Sequence, residues 1–402
     1  MRIPRPIFRF LLAAASLACC RGADTWTDRG EYDLALTIRG EAAPDRRIAL
    51  LDLWKQKYPQ SALAQYRREM YLAAYQATNS WPGMLAVARE ILAEQPANFV
   101  GLYWVTVLTP GVPDPDAAAL QAGEAAARQL LGASAKFLKA NAPAGAPTQE
   151  QELAFSAHRT LGWIAWQRAA FDAAEQEFTA CLCQNPGSAE ISSWYGTVLA
   201  LQKQPEKFAL ALWHWAHAAA VQGDSALGRN PRREIETLLQ EMYTGYHGGS
   251  DGLAEVRAAA AAAAFPPSGF QIETAAVVTA RRQEEEFNRA NPELASWLRI
   301  RKRLDAPDGE TFFNETLRGA PLPKLKGTLI GSTPSRKPKQ LVLGLKDAVT
   351  EEVVLELDSA FPNQAEPGLI LEFEGTPAAF AREPFRLTIR VERTKVSGWP
   401  SP

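Results

Sequence analysis

Two histidines and two cysteines in the middle of the chain are residue types that suit a metal ion. His214 and His217 lie three residues apart on one helical face, and Cys181 and Cys183 belong to the preceding amphipathic segment. Two thiolates and two imidazoles form a typical tetrahedral zinc set. Cys181, however, occupies a small apolar position, and the side chains of a Cys-x-Cys pair on a helix diverge. We therefore expect no metal site and no other cofactor.

A glycine-rich stretch, His247-Gly248-Gly249-Ser250, suggests the oxyanion loop of some esterases. The sequence has no Gly-x-Ser-x-Gly turn and no alternating strand–helix pattern to hold a catalytic triad. It also lacks a phosphate loop, a dinucleotide fingerprint and a His-Glu-x-x-His motif. The glycines are typical of the turn that ends a helix. We predict that the protein is not an enzyme.

The elements that carry these residues are predicted to be helices. From about residue 25 to about residue 304, apolar residues recur at three- and four-residue spacing in an alanine-rich background. Segments with proline, glycine or asparagine interrupt the pattern, at Lys57-Tyr58-Pro59, Glu94–Asn98 and Gln184–Gly187. Such recurrence indicates stacked helix pairs, so we predict an α-solenoid over residues 24–265.

The strongest unit of this solenoid runs from about Phe155 to Ser188. The residues whose spacing defines this unit are Leu161, Gly162, Ala174, Phe178, Cys181 and Pro186. These spacings resemble the tetratricopeptide repeat (TPR), a helix pair of about 34 residues. A second unit contains Tyr195-Gly196, Ala211, Trp215 and Ala218. The resemblance implies that Gly162 lets the two helices approach closely and that Phe178 fills the space between repeats.

In TPR proteins the first helix of each pair lines a concave groove. The resemblance therefore implies that Trp163 and Trp166, with Arg159 one turn earlier, grip an extended or helical peptide. The residues on comparable faces of other units are Tyr66, Glu69 and Tyr103. The alternative is that the tryptophans pack between repeats, where TPR pairs routinely bury aromatic side chains. The expected partner is a protein or peptide.

The sequence pattern changes after the solenoid. Residues 266–318 read as charged amphipathic helices, which we expect to close the stack and to act as a linker. After residue 319 the period becomes two, and five strands are predicted at 325–330, 341–345, 353–357, 369–373 and 385–391. Their number and order resemble an OB-type fold. We predict an α+β multidomain chain in which residues 319–402 form a small five-stranded antiparallel β-barrel.

The OB resemblance implies a ligand face built from two loops. The residues of these loops that could contact a ligand are Arg336, Lys337 and Lys339 after the first strand, and Phe380 and Arg382 before the fifth. Phe380 could stack on a base or a sugar. Acidic residues in the strands leave the domain nearly neutral, so nucleic acid is not the expected partner. Oligonucleotide or glycan binding by this domain is the alternative function.

The first 22 residues have the order of an export signal. Arg2, Arg5 and Arg9 precede an apolar run at residues 10–18 that is too short to span a bilayer. Ser16-Leu17-Ala18-Cys19 resembles a bacterial lipobox, which implies lipidation of Cys19; ordinary signal cleavage is the alternative. We predict export to the periplasm or a membrane-anchored place in the cell envelope, with membrane contact only through such an anchor.

Composition fits a folded protein with a binding role. The chain has 402 residues, of which 47% are hydrophobic and 22% charged, so a largely disordered chain is excluded. The net charge is −2, which gives no overall attraction to nucleic acid or to anionic lipid. We therefore predict a non-enzymatic scaffold of the bacterial cell envelope that binds a protein or peptide partner in the groove of the solenoid.

Overall fold

The computed structural model describes residues 26–141 and 146–401, with no side chains described from residue 134 to residue 149. The chain divides into two compact units, Met1–Thr274 and Ala275–Pro402. The first, described from Trp26, is helical, and the second contains a β-sheet. The predicted signal segment 1–22, including Cys19, lies outside the described residues.

Twelve α-helices are described in the helical unit, and they follow one another as pairs. We call the first helix of each pair an A helix and the second a B helix. The pairs are α1 (Arg29–Gly40) with α2 (Pro44–Lys57), α3 (Ala64–Ala77) with α4 (Trp81–Glu94), α5 (Phe99–Leu108) with α6 (Ala117–Asn141), α7 (Ala146–Gln167) with α8 (Phe171–Gln184), α9 (Ala189–Leu201) with α10 (Pro205–Ala220), and α11 (Arg229–His247) with α12 (Leu253–Ala262).

The helix boundaries follow from local chemistry that recurs along the chain. Asp28, Asn98 and Ser188 precede the A helices α1, α5 and α9, and their side chains accept hydrogen bonds from first-turn N–H groups. The turns inside pairs also repeat: Ala169 and Lys203 hold the left-handed conformation, with φ of 55° and 56°. A residue in this conformation ends the A helix and redirects the chain into the B helix.

Glycine allows the helices of a pair to pack closely. A methyl group at Gly162 would lie 2.6 Å from the ring of Phe178, and one at Gly196 would lie 2.7 Å from the ring of Trp215. The ring of Phe178 also lies 6.3 Å from that of Tyr195 in the next pair. Each aromatic ring therefore rests on a helix backbone that has no side chain at the contact, and Phe178 joins two pairs.

The A helices form one layer of the solenoid. Helix α5 packs on α7 and α7 packs on α9, whereas the B helices α6 and α8 pack on the A helices that flank them. The A helices that contact one another therefore share one surface of the unit. We call the surface formed by the A helices the inner face.

The end of the helical unit is covered by its own last segment. Phe270 lies 4.9 Å from the ring of Trp213 on α10, and Ile272 is buried in the same core. The predicted closing region 266–318 is therefore divided. Residues up to Thr274 belong to the helical unit, and the helices that follow belong to the sheet unit.

The sheet unit contains helices and seven described strands. Its helices are α13 (Ala275–Ala290), α14 (Pro292–Asp305) and α15 (Gly309–Phe312), which continues as a π-helix (Phe313–Leu317). The strands are β1 (Leu325–Thr333), β2 (Gln340–Gly344), β3 (Val353–Leu357), β4 (Ile370–Phe373), β5 (Thr376–Arg382), β6 (Phe385–Val391) and β7 (Val396–Ser397). They form one sheet in the order β5-β6-β3-β2-β1-β4-β7.

The predicted five-stranded antiparallel barrel is wrong in three respects. The five expected strands are present, but β5 and β7 were not predicted, because Thr376–Arg382 contains a proline and three alanines and shows no apolar alternation. Strands β3 and β6 are parallel, so the sheet is mixed. Its order ends at β5 and β7, and the ladders between the described strands do not close it.

A helix and a buried ion pair complete the sheet unit. Trp297 and Leu304 of α14 are fully buried in the core that covers one face of the sheet. Glu352 is buried between β2 and β3, where one carboxylate oxygen accepts hydrogen bonds from the backbone N–H groups of Leu345 (3.0 Å) and Lys346 (2.9 Å). Its other oxygen pairs with Arg301 of α14, which joins the helix to the sheet.

The contact at Gly162 gives a first testable prediction. Gly162→Ala places a methyl group against the ring of Phe178, so the free energy of unfolding should fall by about 1–3 kcal/mol. Gly245→Ala is the matched control, because no atom lies within 4 Å of the added methyl and alanine favours a helix. Urea unfolding followed by circular dichroism measures both. Equal effects of the two substitutions would contradict the packing described.

Candidate functional site

An aromatic pair on adjacent A helices is the main feature of the inner face. Trp166 lies near the end of α7 and Trp194 lies on α9; both side chains are half-buried. Their ring centroids are 6.3 Å apart, with planes inclined at 52°. Phe178 supports Trp194 from below at 6.1 Å. The two tryptophans therefore form a supported aromatic surface that is partly open to solvent.

Arg159 restrains one member of this aromatic pair, Trp194. Its guanidinium donates two hydrogen bonds to Glu190, at 2.7 and 3.0 Å, and lies 4.9 Å from the ring centroid of Trp194. The Arg159 side chain is only 11% exposed. The predicted peptide-contacting arginine is thus paired inside the protein, and it orients Trp194 rather than offering a free cation.

Two of the predicted groove residues are buried. Trp163 is 7% exposed and packs with Leu120 and Ile164, and Tyr103 is 0% exposed with its ring 5.0 Å from that of Trp104. For these two residues the prediction of an exposed groove position is wrong, and the alternative of packing between helices describes them. Trp163 is covered by Leu120 of α6, which belongs to the preceding pair.

Tyr66 and Glu69 are both half-buried on α3. The ring of Tyr66 lies edge-on to Trp54 at 6.5 Å. Glu69 accepts a hydrogen bond from the amide nitrogen of Gln65 at 3.3 Å. Burial raises the pKa of Glu69 above its ordinary value, since the amide hydrogen bond only partly compensates for lost hydration. The structure therefore leaves Glu69 as an inner-face carboxyl with a neutral partner.

Sequence reasoning missed exposed apolar residues on other A helices. Leu36 on α1 is 47% exposed and Leu201 at the end of α9 is 45% exposed; Tyr32 on α1 is also exposed. The repeat spacing could have identified Tyr32, which precedes Tyr66 by 34 residues. Aromatic and aliphatic surface is thus available on α1 and α9 as well as at Trp166.

The histidines and cysteines do not form a ligand set. His217 is hydrogen-bonded to Ser192 at 2.8 Å, and the ring of His214 lies 4.3 Å from that of Tyr195. Cys181 is buried with its thiol directed to the carbonyl of Phe155, whereas Cys183 is exposed. Within the described ranges, no group of three or more His, Cys, Asp or Glu side chains is placed to hold a metal ion.

The predicted ligand face of the sheet unit is not assembled. Phe380 and Arg382 lie on strand β5 rather than in a loop; Phe380 packs on Phe313 at 5.8 Å and on Phe385 at 5.5 Å. Arg382 donates to the backbone carbonyls of Asp305 and Ala306. Arg336, Lys337 and Lys339 are exposed at the β1–β2 connection.

The sheet register separates these two groups. Gln340 of β2 pairs with Glu356 of β3, and Glu356 pairs in parallel with Arg390 near the end of β6. Arg382 pairs with Phe385 at the start of β6. The three basic residues and Arg382 therefore lie at opposite ends of the sheet. The prediction of one ligand face from these loops is wrong.

The buried histidines give a pH-dependent prediction. Burial, together with the neighbouring His217, lowers the pKa of His214 from 6.5 to about 3. The unfolded chain therefore binds a proton below pH 6.5 that the folded chain does not. The free energy of unfolding should be highest above pH 6.5 and fall by about 1.4 kcal/mol for each pH unit below it.

Urea titrations between about pH 7.5 and about pH 5.5 measure this slope. His214→Phe keeps a ring against Tyr195 and removes the titrating group, so its unfolding free energy should depend less on pH than that of the wild type. Parallel pH profiles for the two proteins would show that His214 is not responsible.

Comparisons with known proteins add one finding. No protein-family model matches the sequence, and no curated protein matches it significantly. The structure is similar to that of a thermophilic TPR protein from Thermus thermophilus, with 12% sequence identity and a TM-score of 0.27, over 53% of this chain and 97% of that chain.

None of the described helices is long and apolar enough to cross a membrane. The paired helices, with Gly162 against Phe178 and an inner layer of A helices, make the first unit TPR-like.

Proposed function

We propose that the helical unit is a non-catalytic scaffold that binds an extended or helical peptide segment of a protein partner on its inner face. The observation that supports this most directly is the half-exposed pair Trp166 and Trp194, of which Trp194 is held by Arg159 and Phe178. Stacked helix pairs present an extended surface of the kind that peptides bind.

Rigid aromatic side chains are efficient anchors for a peptide. They bury a large apolar area and lose little conformational freedom, because only two side-chain torsions must be fixed. Trp194 is already restrained by Arg159 and Phe178, which reduces the entropy lost on binding. Exposed Leu36 and Leu201 extend the apolar part of the inner face along α1 and α9.

We also propose that the protein is exported and works in the periplasm or at the cell envelope. The support is the sequence of its first residues, with Arg2, Arg5 and Arg9 before a short apolar run and Cys19. Mass analysis of the N-terminus of the protein isolated from its native cells tests this. A lipidated Cys19 or cleavage nearby supports export, and an intact Met1 contradicts it.

The binding proposal predicts a specific effect of Trp166→Ala. Peptides selected from a random phage-displayed library on the wild-type protein, then labelled with fluorescein, should bind this variant at least about tenfold more weakly by fluorescence anisotropy. The matched control is Trp81→Ala, which removes a half-buried tryptophan from the B helix α4. It should leave peptide affinity unchanged.

Circular dichroism and thermal unfolding of both variants establish that any loss of affinity is not a loss of fold. Failure to select any peptide would overturn the proposal. So would peptides whose affinity is the same for Trp166→Ala as for the wild type.

A further inference from the structure

The contacting tryptophans Trp166 and Trp194 carry two hydrogen-bond donors that the fold does not use. Other tryptophans donate within the protein: the indole nitrogen of Trp54 donates to Glu31 at 2.8 Å, and that of Trp399 donates to Asn363 at 3.1 Å. Among the described residues, the indole nitrogens of Trp166 and Trp194 have no such acceptor, and neither is closed off from solvent. The pair therefore offers a ligand two aromatic rings and two N–H groups.

The helix surface that carries the pair is uncharged. Residues 160–167 of α7 and 191–201 of α9 contain no aspartate, glutamate, lysine, arginine or histidine. Arg159 precedes the first of these runs and is bound to Glu190, which precedes the second. A charged ligand side chain would lose hydration here without gaining a partner. The side chains that fit this surface are therefore uncharged.

An exposed leucine lies farther along the same helix face. Leu201 is 45% exposed and follows Trp194 by seven residues, so the two side chains share one face of α9. Their separation along the helix axis is about 10.5 Å. A polyproline II helix has three residues per turn and rises about 9.3 Å per turn. Ligand side chains three residues apart in this conformation therefore match the spacing of Trp194 and Leu201.

The combination of aromatic rings and free donors also favours a polyproline II ligand. Its backbone carbonyls form no internal hydrogen bonds, so they can accept from the indole N–H groups. In an α-helical ligand most carbonyls are already used within the helix. A proline residue adds an apolar ring and has no N–H group that would need an acceptor. Proline-rich segments bind aromatic-lined grooves in this way.

We propose that the segment recognised by the inner face is proline-rich and binds in the polyproline II conformation. One proline contacts the rings of Trp166 and Trp194, the third residue after it contacts Leu201, and the two indole N–H groups donate to carbonyls of the segment. This inference rests on the proposed function and names the chemistry of its ligand. Such a segment is largely ordered before binding, which reduces the conformational entropy lost.

The direct test measures the fluorescence anisotropy of fluorescein-labelled hexaproline with the full chain, and of a labelled Gly-Ser hexapeptide for comparison. Hexaproline should bind at least about tenfold more tightly than the Gly-Ser peptide, and Trp166→Ala should remove most of this difference. Because no charge takes part, raising the NaCl concentration from about 50 to about 500 mM should leave the affinity for hexaproline unchanged. A steep loss of affinity with salt would overturn the uncharged contact.

Leu201→Ser tests the spacing along α9. It should weaken hexaproline binding several-fold, because it removes the apolar contact one ligand turn from the tryptophans. The matched control is Leu36→Ser, which replaces a leucine of similar exposure (47%) on α1, with the A helices α3, α5 and α7 between it and α9. It should leave hexaproline binding unchanged. Equal losses in the two variants would overturn the placement on α9.

The donor role has its own measurement. The indole ¹H–¹⁵N resonances of Trp166 and Trp194 are identified by their absence in Trp166→Phe and Trp194→Phe. Both should move downfield when hexaproline is added, because each N–H group gains an acceptor. Resonances that do not move would overturn the hydrogen bonds to the segment.

The outcomes also separate this inference from the proposed function. If library-selected peptides bind in a Trp166-dependent way but hexaproline binds no better than the Gly-Ser peptide, the ligand is not a proline-rich segment and only this inference fails. If neither hexaproline nor any library peptide binds, both proposals fail.

Discussion

The structure of the helical unit depends on aromatic rings that rest directly on helix backbones. Gly162 and Gly196 have no side chain where Phe178 and Trp215 pack, so the A and B helices of these two pairs approach closely. Phe178 then reaches Tyr195 and Trp194 of the following pair. One contact thus fixes both the geometry within a pair and the stacking between pairs, and it places the A helices in a single layer.

This stacking decides which aromatic residues remain available for binding. Trp163 and Trp166 are three residues apart on α7 and point in similar directions, yet Trp163 is buried against Leu120 while Trp166 is half-exposed beside Trp194. Trp163 is a buried member of the cluster with Leu120 and Ile164, whereas Trp166 is a partly buried ring packed against that cluster. Whether an aromatic residue is core or surface therefore depends on contacts with a neighbouring pair, which spacing along one helix does not specify.

Local patterns allowed much of the fold to be predicted from the sequence. The helix breaks at Pro59, Pro96 and Pro186, the close approach at Gly162 and five of the described strands depend on residues near one another in the chain. Strand β5 and its pairing depend on distant segments, and a run with proline and alanine has no periodicity to reveal it. The opposite placement of Lys339 and Arg382 follows from the parallel β3–β6 ladder, which strand order along the chain does not specify.

In the candidate site, too, the placement of residues on helices could be predicted from the sequence, whereas contacts between distant residues could not. The structure places Trp166 and Glu69 at half-buried positions of A helices, but charge pairing across repeats could not be predicted from the spacing within one helix. Arg159 is neutralised by Glu190, 31 residues later, whereas Glu69 and Glu152 find no such partner among the described side chains. Arg159, which the sequence suggests as a binding cation, thus stabilises the fold through its pair with Glu190. Electrostatic character on a solenoid is decided by which pairs form between neighbouring repeats, because only the remainder is presented to a ligand.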